Sequence, residues 1–428
     1  MFNPEISDVK MENKELCFKI GGDDKYGLDK SVLNAIRRTL LNDIPSIAFR
    51  CAENTKKDIK IIENSGQLHN EMILQRLSLI PLYINVDSYM KNYLFELNVE
   101  HENKDVFKLV TSDDFMIYPL KPEIQSRIDN LDKELDEELD EELDELLNSN
   151  NYENYDLKNP LSQKKKDEIL RPFEFRGKKN YCLITELKNT NDNELKQKLH
   201  LYGVPSLSTG KENAIFQSVS CSTYSFLKDE DLINHIVQER IKAEDIKEDE
   251  QEKFTQKLLL AESEKYYCRD SNNECNKYNF RIKSQHYEDS GSLFKLSLKI
   301  LQDKIDYLKV SFLKVLQNKE TCISGEKIND YVYNFMIYNE DHTMGNLIQS
   351  HIARRCLDDD SILQFVAYKK PHPLEESIRL IVTINPSHKI SKDNDLRKYQ
   401  GIVNFLIEEL EKIKQDLKIL YKVAEKEL

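Results

Sequence analysis

DKSVLNAIRRTLLNDIPSIAF (29–49) and EDHTMGNLIQSHIARRC (340–356) decide the fold, because they repeat one pattern far apart in the chain. Setting Asn34 against Asn346 brings Leu33 opposite Gly345 and Ile36 opposite Ile348. Val32, Leu33, Ile36 and Leu40 form a helical stripe in the first; Met344, Leu347, Ile348 and Ile352 form one in the second. Asp29 and Asp341 stand where helix N-caps belong.

A longer helix closes each half. Its apolar positions are Phe294, Leu298, Leu301, Ile305, Leu308, Phe312 and Val315 in the first half. In the second they are Tyr399, Val403, Leu406, Leu410, Ile413, Leu417 and Leu420. Both runs step 4-3-4-3-4-3, the spacing of an a/d seam, with Lys, Glu and Asp between. A helix lying on its own sheet satisfies this spacing; two matched seams in one chain point instead to halves that pack on each other.

Strand-like runs at 331–339, 362–370 and 377–385 make the second half read strand, helix, strand, strand, helix. The first half has the same ends but carries a domain-sized insertion between its motif helix and its seam helix. Inside it, LDKELDEELDEELDELL (131–147) is an acidic tract with Leu131, Leu135, Leu139 and Leu143 on a drifting stripe, expected as a solvated helical excursion. The charged stretch 228–254 is expected as a surface helix or linker. The polar stretch 316–330 is the expected link between the halves.

Composition narrows the function. With 39% hydrophobic residues the chain is globular. It has no apolar run long enough for a membrane span, and MFNPEISDVK lacks a signal-peptide core, so a soluble intracellular protein is expected. The eight cysteines are scattered without CxxC pairs, which argues against structural zinc. A formal charge of −14 makes direct DNA binding unexpected. GGDDKYGLDKS (21–31) fails as a phosphate loop because LDKS replaces GK[ST]. Asp358, Asp359 and Asp360 read as a solvated loop, and His342 and His372 are isolated. No catalytic, cofactor or metal constellation emerges. Arg37 and Arg38 stand together on an otherwise apolar helix, Arg38 at the stripe's edge near Leu41; arginine's planar fork suits carboxylates at interfaces.

These residues resemble the alpha family of cellular RNA polymerase subunits. The carriers are LNAIRRTLLNDIPSIAF, LHNEMILQRLSLIPL (68–82), STGKENAIFQSVSCSTYSF (208–226) and FRIKSQHYEDSGSLFKLSLKILQDKI (280–305), similar to the larger alpha-like subunit (subunit three of RNA polymerase II). NEDHTMGNLIQSHI and FVAYKKPHPLEESIRLIVTI are similar to the smaller one (subunit eleven), and Lys369, His372 and Pro373 match its K-x-P-H-P-L pattern. There are departures. Residues 52–181 hold no cysteine, so no metal site carries over; Asn213 replaces a histidine and Phe216 a tryptophan.

The resemblance implies an α+β chain in which two alpha-type dimerisation domains form an intrachain pseudo-dimer, the first interrupted by a mainly β insert. The expected boundaries are 1–50 plus 265–318 for the first dimerisation domain and 51–227 for the insert, with acidic tract 129–148. A charged helical connector at 228–264 and the second dimerisation domain at 319–428 complete the division. Pairing is expected through Leu33, Ile36, Leu40, Leu298, Leu301 and Ile305 against Leu347, Ile348, Ile352, Val403, Leu406 and Leu410. Arg37, Arg38 and Leu41 match positions that grip a large subunit. The implied function is a non-catalytic assembly platform for a DNA-directed RNA polymerase, needing no cofactor. Its implied partners are the two large catalytic subunits, with small zinc-bearing subunits as further candidates and no membrane partner. Fusion of the halves and the Lys-, Asn- and Asp-rich composition suggest a large DNA virus, hence the host cytoplasm (a virus factory) as the expected location, with the virion as a further candidate. The rival readings are a homodimeric coiled-coil adaptor and a nucleotide-dependent enzyme.

Overall fold

The computed structural model describes residues 3–22, 28–51, 58–86, 92–102, 105–124, 126, 152–189, 196–271, 273–317, 319, 321–355 and 361–428. The acidic tract 129–148, the triplet Asp358–Asp360 and residues 23–27 of the glycine-rich loop lie outside them. Two compact units are present: Met1–Ile44, Val219–Ser284 and Asp289–Leu428 form one, Pro45–Ser218 and Gln285–Glu288 the other.

Alternating burial builds the first sheet. Along β14 (Lys277–Ser284), Tyr278, Phe280, Ile282 and Ser284 are buried and their neighbours exposed. It pairs on one side with β2 (Glu15–Gly21) and on the other with β13 (Val219–Phe226); β2 also pairs with β1 (Glu5–Glu12). The all-antiparallel order is β1-β2-β14-β13. Helix α1 (Lys30–Asn42) begins where the Asp29 side chain accepts the Ser31 amide, a satisfied N-cap. Helix α6 (Ser290–Leu316) is pinned to the sheet by Phe294, which meets Phe18 edge-on at 5.2 Å and Phe280 at 5.8 Å.

The second half repeats this plan. Its strands are β15 (Ile323–Lys327), β16 (Val332–Tyr338), β17 (Leu363–Lys369) and β18 (Ser377–Ile384), in antiparallel order β15-β16-β18-β17. Helix α7 (His342–Arg355) follows β16, and α8 (Asp395–Glu427) follows β18. Both halves therefore read β-β-α-β-β-α with the same strand order, and the repeat seen in the sequence is a duplicated fold. One buried cluster runs through both, from Leu16 and Leu33 to Ile384 and Leu420.

Four boundaries differ from the sequence reading. The second unit begins at Pro45 rather than residue 51, because Pro45–Ala48 pairs with Ser206–Thr209. Strand β13, assigned there to the insert, is hydrogen-bonded along its length to β14, so the first half resumes at Val219. The charged stretch 228–264 is two helices, α4 (Glu230–Ala243) and α5 (Glu248–Ala261), set into the β13–β14 connection. Asp245, at φ 49°, breaks the run between them. The link between halves shortens to residues 317–322, because β15 belongs to the second sheet.

The second unit is mainly β. Its largest sheet joins β4 (Ile59–Asn64), β11 (Lys198–Gly203), β5 (Tyr93–Glu100) and β7 (Phe115–Pro119). Smaller pairs are β3 (Pro45–Ala48) with β12 (Ser206–Thr209), β6 (Phe107–Thr111) with β10 (Leu183–Lys188), and β8 (Phe173–Phe175) with β9 (Lys178–Asn180). Helices α2 (Asn70–Ser78) and α3 (Gln163–Leu170) complete its described core, α2 burying Ile73, Leu74 and Leu77. Among the described residues no helix is long and apolar enough to cross a membrane.

Candidate assembly interface

Where the halves meet, α1 lies against α7 and α6 against α8. The α1–α7 contact is reciprocal. Arg38 donates from Nη2 to Asp341 Oδ2 at 2.5 Å and from Nε to Thr343 Oγ1 at 2.7 Å. Ser350 donates to Asp29 Oδ2 at 2.5 Å, and Arg354 reaches the other oxygen at 3.4 Å. Under the alignment of Asn34 with Asn346, Asp29 corresponds to Asp341 and Arg38 to Ser350. Each helix thus presents its N-terminal aspartate to the same position on the other, which requires the two to run antiparallel. Where the second half has only a hydroxyl, Arg354 supplies the charge from one turn further on.

The seam helices obey the same symmetry. Lys309 pairs with Glu411 and Lys414 with Asp306, while the Lys299 ammonium sits 5.5 Å from the Tyr421 ring centre. Advancing three residues on α6, from 306 to 309, retreats three on α8, from 414 to 411. Going back seven, from 306 to 299, advances seven, from 414 to 421. The helices are antiparallel in one register, with ion pairs flanking an apolar seam. Leu298, Leu301, Ile305, Val403, Leu406 and Leu410 are buried in that seam's cluster; Leu33, Ile36, Leu40, Leu347, Ile348 and Ile352 are buried in it too.

Charged groups inside this core are paired, whereas the buried Thr39 and Tyr333 hydroxyls have no protein partner among the described residues. His351 on α7 meets Glu409 on α8 at 3.2 Å, both buried, and Lys412 reaches Glu409 at 2.6 Å from the surface. At the corresponding place in the first half Lys304 of α6 pairs with Asp43 at 3.0 Å. Burial pushes the Asp341 carboxyl up, but the Thr343 hydroxyl and amide and the Arg38 charge outweigh it and hold it at about 2. Tyr278, deep in the first sheet, donates to the carbonyls of Leu28 and Cys275, and burial raises its phenol well above the ordinary range.

The residues expected to touch a large subunit are placed as follows. Arg37 is half-buried and folds back on Asn34 Oδ1 at 2.9 Å. Leu41 packs partly buried against the shared core. Arg38 has its guanidinium engaged by Asp341 and Thr343 of the second half, so it is a cross-link within the chain rather than an unengaged cation. In the second unit, Glu212 of the GKE stretch receives both ends of the Arg50 fork at 2.6 and 2.9 Å, with fully buried Phe216 beneath the guanidinium. Asn213 caps the short turn Ala214–Phe216. His372 accepts the Leu374 amide in an exposed loop after Lys369, and Leu374 there is 88% exposed. Among the described residues, no cluster of three or more His, Cys, Asp or Glu could hold a metal ion.

Residues 26–305 match the RNA polymerase Rpb3/Rpb11 dimerisation domain, and residues 333–417 match a second description of that domain. The chain belongs to the Rpb3/Rpb11 dimerisation-domain family. Subunit Rpo3 of a DNA-directed RNA polymerase from Thermoplasma volcanium is 36% identical over 83 residues, 18% of this chain and 29% of that protein. Rpo3 from Pyrococcus furiosus is 30% identical over 106 residues, 23% and 38% of the two chains. A probable RNA polymerase II subunit RPB11 from Plasmodium falciparum is 34% identical over 91 residues, 21% and 65%. The match thus spans about a third of the Rpo3 relatives' length and about two thirds of that RPB11. Two dimerisation domains of this family, covalently joined and facing each other, account for the reciprocal interface.

Proposed function

We propose that this chain is a non-catalytic assembly platform of a multisubunit DNA-directed RNA polymerase, in which the paired halves recruit the two large catalytic subunits. The observation that carries the reading is the reciprocal register of α1 with α7 and α6 with α8 inside one chain of the Rpb3/Rpb11 family. Fusion makes pairing intramolecular, at an effective concentration in the millimolar range for short links. The contact with a large subunit falls to Arg37, Arg38 and Leu41, with Arg38 also holding α1 to α7. Small zinc-bearing subunits are further partners in this reading. A large DNA virus, whose polymerase would occupy the host cytoplasm and the virion, is the proposed source. With both seams occupied inside the chain, nothing favours a homodimeric adaptor.

Affinity purification of the tagged chain from its native setting tests this. Recovery of two chains above roughly 100 kDa, with RNA synthesis in the eluate, supports the platform. Recovery of the bait alone refutes it.

A further inference from the structure

The charge of −14 is unevenly spread. Residues 163–180, QKKKDEILRPFEFRGKKN, hold seven Lys or Arg against three Asp or Glu, net +4 in sequence; Lys166 is buried against Asp113 and Lys179 pairs with Asp167, which leaves five further cations in this island. In the structure this segment is α3 followed by the β8–β9 hairpin. Arg176 (φ 51°) and Gly177 (φ 73°) form its tight turn, the left-handed pair that a two-residue hairpin turn requires. Asp167 anchors the base, accepting from Lys179 at 2.6 Å and Tyr181 at 2.8 Å.

What the hairpin displays is aromatic and cationic. Phe173 and Phe175 are 69% and 55% exposed, their rings 15° from parallel with centres 6.5 Å apart. The Arg176 guanidinium lies 5.1 Å from the Phe175 ring centre, and Lys178, directly across from Phe175, is exposed. A second such station stands where α3 ends, just before the hairpin. Arg171, left-handed at φ 34°, lays its guanidinium 4.1 Å from the Tyr83 ring centre beside a cavity of about 450 Å³ that Lys165, Tyr93 and Asn85 also line.

We propose that this segment binds single-stranded nucleic acid. Flat rings open to solvent take the faces of bases without regard to sequence, and cations beside them neutralise the phosphates between. Lysine is depleted at protein–protein interfaces, so Lys165 at the cavity and Lys178 across from Phe175 favour a phosphate backbone over an acidic polypeptide. The island overrides the repulsion of the acidic chain because screening confines charge effects to about 10 Å.

The test is fluorescence anisotropy of the full chain with a labelled uridine 20-mer, a duplex DNA of the same length, and a Glu-rich peptide as competitor. Saturable binding of the single strand is expected. Its affinity should fall with salt at a log–log slope near −2, for about three phosphates neutralised. Exposed Phe173 and Phe175 can be replaced without opening the core, and F173A/F175A should weaken binding roughly tenfold or more. R176E/K178E should weaken it and flatten the slope. Absence of binding up to about 100 μM strand, unchanged affinity in F173A/F175A, or tighter binding of the peptide would each overturn the proposal. No other polymerase subunit is present in the assay, so its failure leaves the platform reading untouched.

Discussion

Replacing Arg38 with alanine removes the one arginine fork that α1 extends to Asp341 and Thr343, and the size of the loss can be worked from its geometry. Two hydrogen bonds from the charged guanidinium, one of them to a carboxylate, at 2.7 and 2.5 Å would be worth about 1.5–3 kcal/mol net if well shielded. The side chains are 28% and 33% exposed, so solvent screens part of that. A coupling of about 1–2 kcal/mol between Arg38 and Asp341 is expected. The assay is a double-mutant cycle of R38A, D341A and R38A/D341A in guanidinium denaturation. The cycle matters because Asp341 also accepts the Thr343 amide at 2.7 Å, and D341A loses that bond as well. Subtraction removes it. Coupling below about 0.3 kcal/mol would show that the two residues do not hold the halves together, and would refute the reasoning.

Other consequences follow from the same interface. Asp341 titrates at about 2 in the folded chain against an ordinary 3.8, so its contribution is complete above pH 3.8 and disappears as pH falls toward 2. Acid titration of D341N should lack that component, and an unchanged acid limb would contradict the assignment. Leu301, fully buried in the seam, should cost about 2–5 kcal/mol as alanine. Because one core serves both halves, calorimetry of L301A should show the halves melting together rather than the first alone. Gly345 lies against Tyr368: a Cβ there would stand 2.5 Å from the ring, so G345A should cost about 1–3 kcal/mol, partly restored by Y368A.

Much of this architecture is legible in the amino-acid sequence, because it is periodic. The 4-3 spacing from Phe294 to Val315 and from Tyr399 to Leu420 specifies two seam helices. Alternation at Ile378, Leu380, Val382 and Ile384 specifies a strand whose buried face holds those residues. What escapes has no periodic signature. ISGEK, strand β15, buries only Ile323, as an edge strand can, and reads as linker. VSCSTYSF is rich in small polar residues and runs on from the insert, so nothing marks Val219 as the return to the first sheet. The cross-links of the interface join residues about 300 apart for Arg38 and about 100 apart for Asp306, and only the folded register brings them together. Arg38 illustrates the limit. Its position at the edge of an apolar stripe announces an arginine that seeks a carboxylate, but not that the carboxylate belongs to the same chain.

If a single chain builds the platform by pairing its own halves, the pairing should survive cutting of the link. A protease site placed within residues 317–322, between α6 and β15, allows cleavage after the complex has formed. Pull-down through a tag on the second half should then recover the first half and two large polymerase chains in equal amounts. Recovery of the second half alone would contradict the account.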